Sequence, residues 1–349
     1  MHRPIMNPTY MDESEPAPRR TRVPVWRRFV LAPLWKAACW IARLALTNPL
    51  RWGRRPDLRV EDGHVVQRVV RALAYRLAFI PFVLAGLAAA LVYAGTHPSV
   101  EPTTDDPLTL GVYYDPVNFV SADGTRLDGW LVPVLDARRV LEQKDRILRA
   151  KFPAVVLVHD FGHARAQMLP LVRPLHERGL VVLVVQLRGS GVGRAGTTFG
   201  LHEANDVTAA VDLLRRRPFV DPDRIALLGV GTGATAALIA ADRDPKIAAL
   251  VLDRPPRSAE QVVRAHVMPP AAALAWVYPF CKWTFEVAYA VNSNDLEWSA
   301  RQAVLDRTPT LLAEGASAKA IGDAVFAEEV TAFLRARLPA KPTDLATTN

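Results

Sequence analysis

Cysteine is scarce in this sequence, which has two in 349 residues, Cys39 and Cys281. They lie on either side of an apolar run at 77–96, which is predicted below to cross a membrane. An internal disulfide is therefore excluded, and cysteine usage leaves the redox compartment open.

Acidic side chains are scarce near the N-terminus. Residues 1–76 hold 15 Lys and Arg against six Asp and Glu, a net charge of +9, whereas residues 97–349 have a net charge of −1. A nucleic-acid-binding domain needs positive charge on its own surface. The excess of basic residues therefore does not indicate nucleic acid as a partner.

Charged side chains are absent from residues 77–96, LAFIPFVLAGLAAALVYAGT. Twenty apolar residues match the hydrocarbon core of a bilayer, and a buried globular helix would show a polar stripe. The run therefore predicts one transmembrane helix, and it begins too deep in the chain for a cleavable signal peptide. Arginines precede it and EPTTDDP follows it, so the N-terminus is predicted to be cytoplasmic and the C-terminal domain extracytoplasmic.

Residues 1–76 are predicted to form a basic cytoplasmic segment. Within it, residues 25–50 mix three tryptophans with Lys and Arg side chains, which is typical of an amphipathic helix in the headgroup region. The basic cluster RWGRRP follows directly. Anionic membrane lipid is the partner predicted for this segment.

The region 97–340 alternates strand-like and helical patterns. FPAVVLVHD (152–160) and GLVVLVVQLRG (179–189) are continuous apolar runs, typical of parallel strands buried on both faces. Amphipathic stretches separate such runs, so the pattern predicts an α/β domain with a mostly parallel sheet and flanking helices.

The alternation stops near 260–305, where an apolar and aromatic stretch predicts a helical cap. Lys282 and Glu286 interrupt this stretch, which favours a cap packed over the sheet rather than one that touches the bilayer. Residues 341–349 are predicted to be a tail.

Five motifs in order resemble the α/β-hydrolase family, in particular its bacterial esterase- and peptidase-like members, over residues 117–338. They are DGTRLDGW, VLVHDFG, LRGSG, FGLHEANDVTAAVDLL and VDPDRIALLGVGTGA. The resemblance implies an α/β-hydrolase-like sheet, truncated at its C-terminal edge, behind the transmembrane helix.

The resemblance also implies that the nucleophile is lost. In the family pattern G-x-S-x-G the serine stands on a strained turn, and Gly231 occupies that position here. Thr232 lies one residue on, so its hydroxyl is predicted to point away from the site. Its N–H aligns with one oxyanion donor and the Phe161 N–H with the other. Asp160 replaces a usual glycine of the oxyanion loop, to which His159 also belongs.

The acid and the base are missing at their aligned positions. Ala318 stands where the family has its acid, and Asp253 is an alternative acid with a competing turn or cap role beside Arg254. About nine residues separate the acid loop from the last helix, too few for the helix and strand that precede the family's histidine. None of the eight histidines lies after His266.

Two functions follow from these losses. The first is a membrane-anchored, catalytically inactive hydrolase-like protein that binds an unidentified ligand or protein, or helps to organise the envelope. The alternative is an active serine-hydrolase-type esterase or peptidase with a non-standard catalytic set, such as Asp253 with His163 or His202. Neither requires a cofactor or a metal.

A third hypothesis is a dinucleotide-binding enzyme. Gly229, Gly231 and Ala234 fit G-x-G-x-x-[GA], and Asp253 lies 24 residues after Gly229, near the expected position of a ribose-binding acid. The motif normally opens the first βαβ unit of its domain, and here it follows a hairpin and two buried strands.

Overall fold

The computed structural model describes residues 63–100, 104–134, 151–190, 196–268, 272–313 and 321–339. The predicted interfacial helix at 25–50, Cys39, the aligned acid position Ala318 and the tail at 341–349 lie outside these residues. All the described residues belong to one unit, Gly63–Asn349.

A seven-stranded sheet in the order β1-β2-β4-β3-β5-β6-β7 forms the centre of the described chain. The strands are β1 (Asp115–Val120), β2 (Arg126–Val132), β3 (Phe152–Val158), β4 (Val181–Gln186), β5 (Val220–Val230), β6 (Ala249–Asp253) and β7 (Thr310–Ala313). The β1–β2 hairpin joins β4 in antiparallel orientation, and every other pairing is parallel. This mostly parallel sheet with flanking helices confirms the predicted fold class.

Eight α-helices accompany the sheet in the described residues. They are α1 (Gly63–Thr96), α2 (Leu169–Glu177), α3 (Glu203–Arg215), α4 (Thr232–Arg243), α5 (Ala259–His266), α6 (Tyr278–Tyr289), α7 (Gln302–Arg307) and α8 (Ala324–Arg337). Among the described residues no strand follows β7.

The core has one layer on each face of the sheet. Successive side chains of a strand point to opposite faces. On β3, therefore, Val156 packs in the layer that contains α3 and α4, and Val155 packs in the layer that contains α2 and α8. Every residue of β3 and β4 is buried, which explains why both strands are continuous apolar runs in the sequence.

Helix α1 contains the predicted transmembrane run. Its segment Arg76–Thr96 is long and apolar enough to cross a membrane, by length and composition alone. Phe79 and Phe82 are exposed, whereas Ala88 and Val92 near the C-terminal end are buried against the connection between β6 and β7.

The regular elements described in that connection are all helical. They are α5, a 3₁₀ turn (Ala272–Val277), α6, two further 3₁₀ turns (Ser293–Leu296 and Trp298–Arg301) and α7. The connection contains the stretch for which a cap is predicted, and α5 and α6 share one apolar cluster with the end of α1. We refer to α5, Ala272–Val277 and α6 as the cap.

Candidate functional site

Three parallel strands, β3, β5 and β6, end side by side and bring the predicted site residues to one edge of the sheet. His159 and Asp160 follow β3, Gly231 follows β5, and Asp253 ends β6. Ligands of open α/β sheets bind at this carboxyl edge.

Gly231 forms the turn between β5 and α4. Its backbone lies at φ 53° and ψ −120°, and its N–H donates to the Asp253 carbonyl at 2.8 Å. A residue with a Cβ is strained in this conformation, by about 1–3 kcal/mol, whereas glycine tolerates it. The sharp strand-to-helix turn of a nucleophile elbow is therefore present without a nucleophilic side chain.

The carboxylate of Asp160 occupies the space that a side chain at position 231 would fill. A Cβ added to Gly231 would overlap all three atoms of that carboxylate. Asp160 Oδ1 also accepts hydrogen bonds from Phe161 N at 2.7 Å and Thr232 N at 2.8 Å. The two N–H groups that align with the oxyanion donors thus converge on one oxygen of the chain itself.

The prediction for the Thr232 side chain is wrong. Its Oγ1 accepts from Phe161 N at 3.1 Å and lies 3.3 Å from Asp160 Oδ1, so the hydroxyl points into the site. The physical reason is that Gly231 has no side chain and Asp160 supplies an acceptor there. Thr232 completes a hydrogen-bonded group around that carboxylate.

His159 is fully buried behind this group. Leu187 N donates to its Nε2 at 3.1 Å, so Nδ1 carries the proton and donates to the Asp160 carbonyl at 2.9 Å. Burial lowers the pKa of His159 to about 4. Both ring nitrogens are used in joining the ends of β3 and β4, and the ring is neutral near pH 7.

Asp253, the alternative acid, is buried and paired with its own neighbour. Its Oδ1 and Oδ2 accept from Arg254 Nε at 3.1 Å and Nη2 at 2.9 Å. In the part of the chain that is described, no hydrogen bond or ion pair joins it to His163 or His202. His163 Nδ1 instead lies 3.0 Å from the Phe161 carbonyl.

His266, at the end of α5, lies beside the site although the sequence gives no sign of it. Its ring centroid is 4.4 Å from that of Phe161 and 5.4 Å from that of Phe199. Burial lowers its pKa, and the charge of Asp160 opposes that shift. The cap brings this histidine into place across a long sequence separation, which no local motif could reveal.

Phe199 forms the apolar wall of the site in a strained conformation. It is buried at φ 58°, a left-handed value that is uncommon for a non-glycine residue. The buried Glu203 carboxylate fixes its loop by accepting from Thr197 Oγ1 at 2.6 Å, Thr198 N at 2.8 Å and Gly200 N at 2.9 Å.

A second polar cluster lies at the same edge of the sheet, after β4. The buried Arg188 donates from Nε to both oxygens of the buried Asp206, at 2.9 and 3.1 Å, and from Nη2 to Ser121 Oγ at 3.3 Å. Its Nη1 contacts the Asp123 carboxylate, and this contact lowers the pKa of Asp123. Arg188 belongs to the LRGSG motif, but the sequence alone gives no sign of its two carboxylate partners.

The geometry gives the dinucleotide hypothesis no specific support. A pyrophosphate would approach the first N–H of α4, but the Thr232 N–H already donates to Asp160. Within the described ranges, no group of three or more His, Cys, Asp or Glu side chains could hold a metal ion.

Comparison with known proteins agrees with this architecture. Residues 167–258, which include the elbow, match the family model described as "Prolyl oligopeptidase family". Over 124 residues the chain is 31% identical to the uncharacterized protein YfhR of Salmonella typhi, covering 36% of this chain and 39% of that one. It is 30% identical over 143 residues to the polyketide transferase ATR5 of Stachybotrys chlorohalonatus, covering 40% and 43%. The match spans less than half the length of either relative.

A solved structure, the esterase Pf2001 of Pyrococcus furiosus, superposes with a TM-score of 0.50 at 21% identity. The superposition covers 70% of this chain and 98% of the esterase. At that identity the likeness concerns the fold alone. With its sheet order, its sharp turn after β5 and this superposition, the chain has the α/β-hydrolase fold.

Proposed function

We propose that this protein is a membrane-anchored member of the α/β-hydrolase family that no longer hydrolyses substrates and acts by binding a ligand or a protein partner. One observation carries the proposal. The Asp160 carboxylate accepts hydrogen bonds from the N–H groups of Phe161 and Thr232, at an elbow whose central residue has no side chain. An acyl-transfer enzyme keeps such donors for the oxygen that becomes charged in the transition state.

The chemistry of the neighbouring groups supports the same conclusion. Removing the nucleophile alone costs on the order of 10⁶ in kcat in a hydrolase where this was measured. His159 already uses both ring nitrogens within the fold, so it is not free to act as a general base. The hydrogen bonds to Asp160 are charge-assisted, and a substrate oxygen would have to displace them.

Labelling with a fluorophosphonate probe tests the loss of hydrolysis. In membranes that contain the full chain we expect no labelling above that of a heat-denatured sample. An active serine hydrolase added to the same membranes is the positive control. The Asp160→Gly variant frees both N–H donors without restoring a hydroxyl, and we expect it to stay unlabelled. Specific labelling of the unmodified chain would contradict the proposal.

The anchoring part of the proposal concerns α1 and the basic segment before it. The apolar segment Arg76–Thr96 and the net charge of +9 on residues 1–76 support a single span with a cytoplasmic N-terminus bound to anionic lipid. We expect the chain to resist alkaline carbonate extraction from membranes. In intact spheroplasts, external protease should digest the C-terminal domain and leave the N-terminus protected.

An active hydrolase with a non-standard catalytic set is the second candidate. The observation that favours it is that the Asp160 carboxylate, the Thr232 hydroxyl and His266 lie around one elbow. Hydrolysis of short acyl p-nitrophenyl esters by the purified full chain would support this candidate if Asp160→Asn abolished it. The exposed Arg173→Ala variant is the matched control and should keep any such activity.

A further inference from the structure

The cap carries an exposed apolar stripe, formed by Trp276, Phe280, Trp283 and Val287. Their exposed fractions are 55%, 42%, 61% and 61%. The spacing of three and four residues places Phe280, Trp283 and Val287 on one face of α6, and Trp276 lies in the 3₁₀ turn directly before that helix. Cys281 and Phe285, on the other face of α6, are fully buried. An exposed aromatic patch of this kind marks an interaction surface.

The two charged residues of α6 do not belong to the stripe. Lys282 Nζ donates to Asn294 Oδ1 at 3.1 Å and lies 4.0 Å from Glu286 Oε1. The same Glu286 oxygen accepts from Ser293 Oγ at 2.6 Å. Both charges are therefore paired and hydrogen-bonded within the protein, which lowers the cost of bringing the helix to a lipid surface.

The end of α1 packs tightly against the cap. A Cβ at Gly95 would lie 2.7 Å from the His266 carbonyl oxygen and 2.7 Å from Val267 Cα, so only glycine allows this approach. Tyr289 Oη donates to Thr96 Oγ1 at 2.7 Å, and Thr197 N donates to the Thr96 carbonyl at 2.9 Å. The cap therefore holds a fixed position relative to the candidate span.

The length of the span sets the depth of the cap. A bilayer core of roughly 30 Å requires about 20 helical residues, and the apolar segment Arg76–Thr96 has 21. The span therefore needs residues 88–96, a rise of about 12 Å, yet this part of α1 already packs against the cap. When Arg76–Thr96 crosses a membrane, the neighbouring cap surface lies at the depth of the same leaflet.

We propose that the stripe of Trp276, Phe280, Trp283 and Val287 is immersed in the leaflet that receives the C-terminal end of α1. This inference rests on the anchoring part of the proposed function. Tryptophans are enriched at membrane–water interfaces because one end of the ring is apolar and the other is polar. Helix α5 shows the contrast, since it exposes the ion pair of Arg264 and Glu260, at 2.6 Å, and no apolar stripe.

Nitroxide accessibility in proteoliposomes of phosphatidylcholine and phosphatidylglycerol tests the proposal with the full chain. In a background of Cys39→Ser and Cys281→Ala, a nitroxide is attached at one of three positions. Trp283→Cys reports on the stripe and Phe82→Cys on the exposed face of the span. Asp223→Cys is the aqueous control, because Asp223 is exposed near the amino-terminal end of β5, away from the carboxyl ends of the parallel strands.

We expect position 283 to resemble position 82, with high accessibility to oxygen and several-fold lower accessibility to a nickel chelate than position 223. If position 283 resembles 223 while 82 remains in lipid, the stripe lies in water and the inference is wrong, with the anchor intact. If position 82 also resembles 223, the anchoring proposal itself fails. Exclusion of both reagents at 283, with dipolar broadening between labelled chains, would show that a second copy covers the stripe and would overturn the inference.

Discussion

Two polar clusters at the same edge of the sheet hold carboxylates in different ways: Asp206 is fully buried, and Asp160 is partly exposed. The Asp206 carboxylate is bound by the guanidinium of Arg188, so opposite charges are buried together. The Asp160 carboxylate is bound by two backbone N–H groups and the Thr232 hydroxyl, with no ion pair among the described residues. The first cluster joins one guanidinium to the carboxylates of Asp206 and Asp123, whereas in the second a carboxylate is bound by backbone N–H groups and a hydroxyl.

His159 connects the two clusters. It accepts from the N–H of Leu187, which precedes Arg188, and donates to the carbonyl of Asp160. Changes in either cluster should therefore alter stability, but for different physical reasons. Three predictions separate those reasons.

The largest effect is expected from Arg188→Ala. This variant leaves Asp206 as a buried, unpaired carboxylate, and breaking a buried pair in this way costs about 3–5 kcal/mol. Denaturant unfolding of the detergent-solubilised chain measures the loss. Arg173→Ala is the matched control, because Arg173 and Glu177 form an exposed pair at 2.8 Å whose removal costs about 0–1 kcal/mol. Equal losses for the two variants would contradict the assignment of a structural role to Arg188.

The next effect concerns pH. The pKa of His159 is lowered from 6.5 to about 4, so the unfolded state binds more protons than the folded state between these values. The stabilisation is complete above pH 6.5 and is lost as the pH falls toward 4, by on the order of 3 kcal/mol. The free energy of unfolding, measured across this window, should therefore decrease with falling pH.

Two variants isolate the histidine responsible. His159→Gln should weaken the pH dependence and leave the part that His266 contributes, because burial lowers the pKa of His266 as well. His163→Gln, at an exposed position near the same site, is the matched control and should keep the full dependence. An unchanged slope in His159→Gln would show that other groups cause the acid destabilisation.

The smallest effect is expected from Gly231→Ser, at about 1–3 kcal/mol, because the new side chain overlaps the Asp160 carboxylate and is strained at φ 53°. The cost should shrink by about 1 kcal/mol or more in an Asp160→Gly background, where the overlap is removed. A double-mutant cycle measures this coupling, and Gly231→Ser with Arg173→Ala should be additive. A cost that is the same in both backgrounds would contradict the view that Asp160 occupies the space of a side chain at position 231.

The strands of the sheet could be predicted because a strand that is buried on both faces consists of a continuous run of apolar residues. FPAVVLVHD and GLVVLVVQLRG contain β3 and β4 with few residues to spare. The position of the Asp160 carboxylate could not be predicted, because it depends on the space beside Gly231, which lies 71 positions later in the chain. The wrong prediction for Thr232 has the same origin, since its hydroxyl responds to a partner from another strand.

The charges of the cap show a related limit. In the sequence, Lys282 and Glu286 count against contact with a bilayer, because a pattern records charges but not their partners. In the structure each is paired, and Asn294 and Ser293, from a later turn, complete the pairing. The sequence pattern cannot show these tertiary contacts, so it overstates the cost of bringing Lys282 and Glu286 close to lipid.

The overlap between Asp160 and a side chain at position 231 also constrains how a nucleophilic side chain could arise at this turn during evolution. A serine introduced at position 231 overlaps the Asp160 carboxylate, so that path begins with a loss of stability. The other path begins with the replacement of Asp160. This change leaves two N–H groups without their carboxylate acceptor and introduces no nucleophile. Neither substitution alone places a serine hydroxyl beside free N–H donors, so a serine nucleophile at this turn requires both changes together.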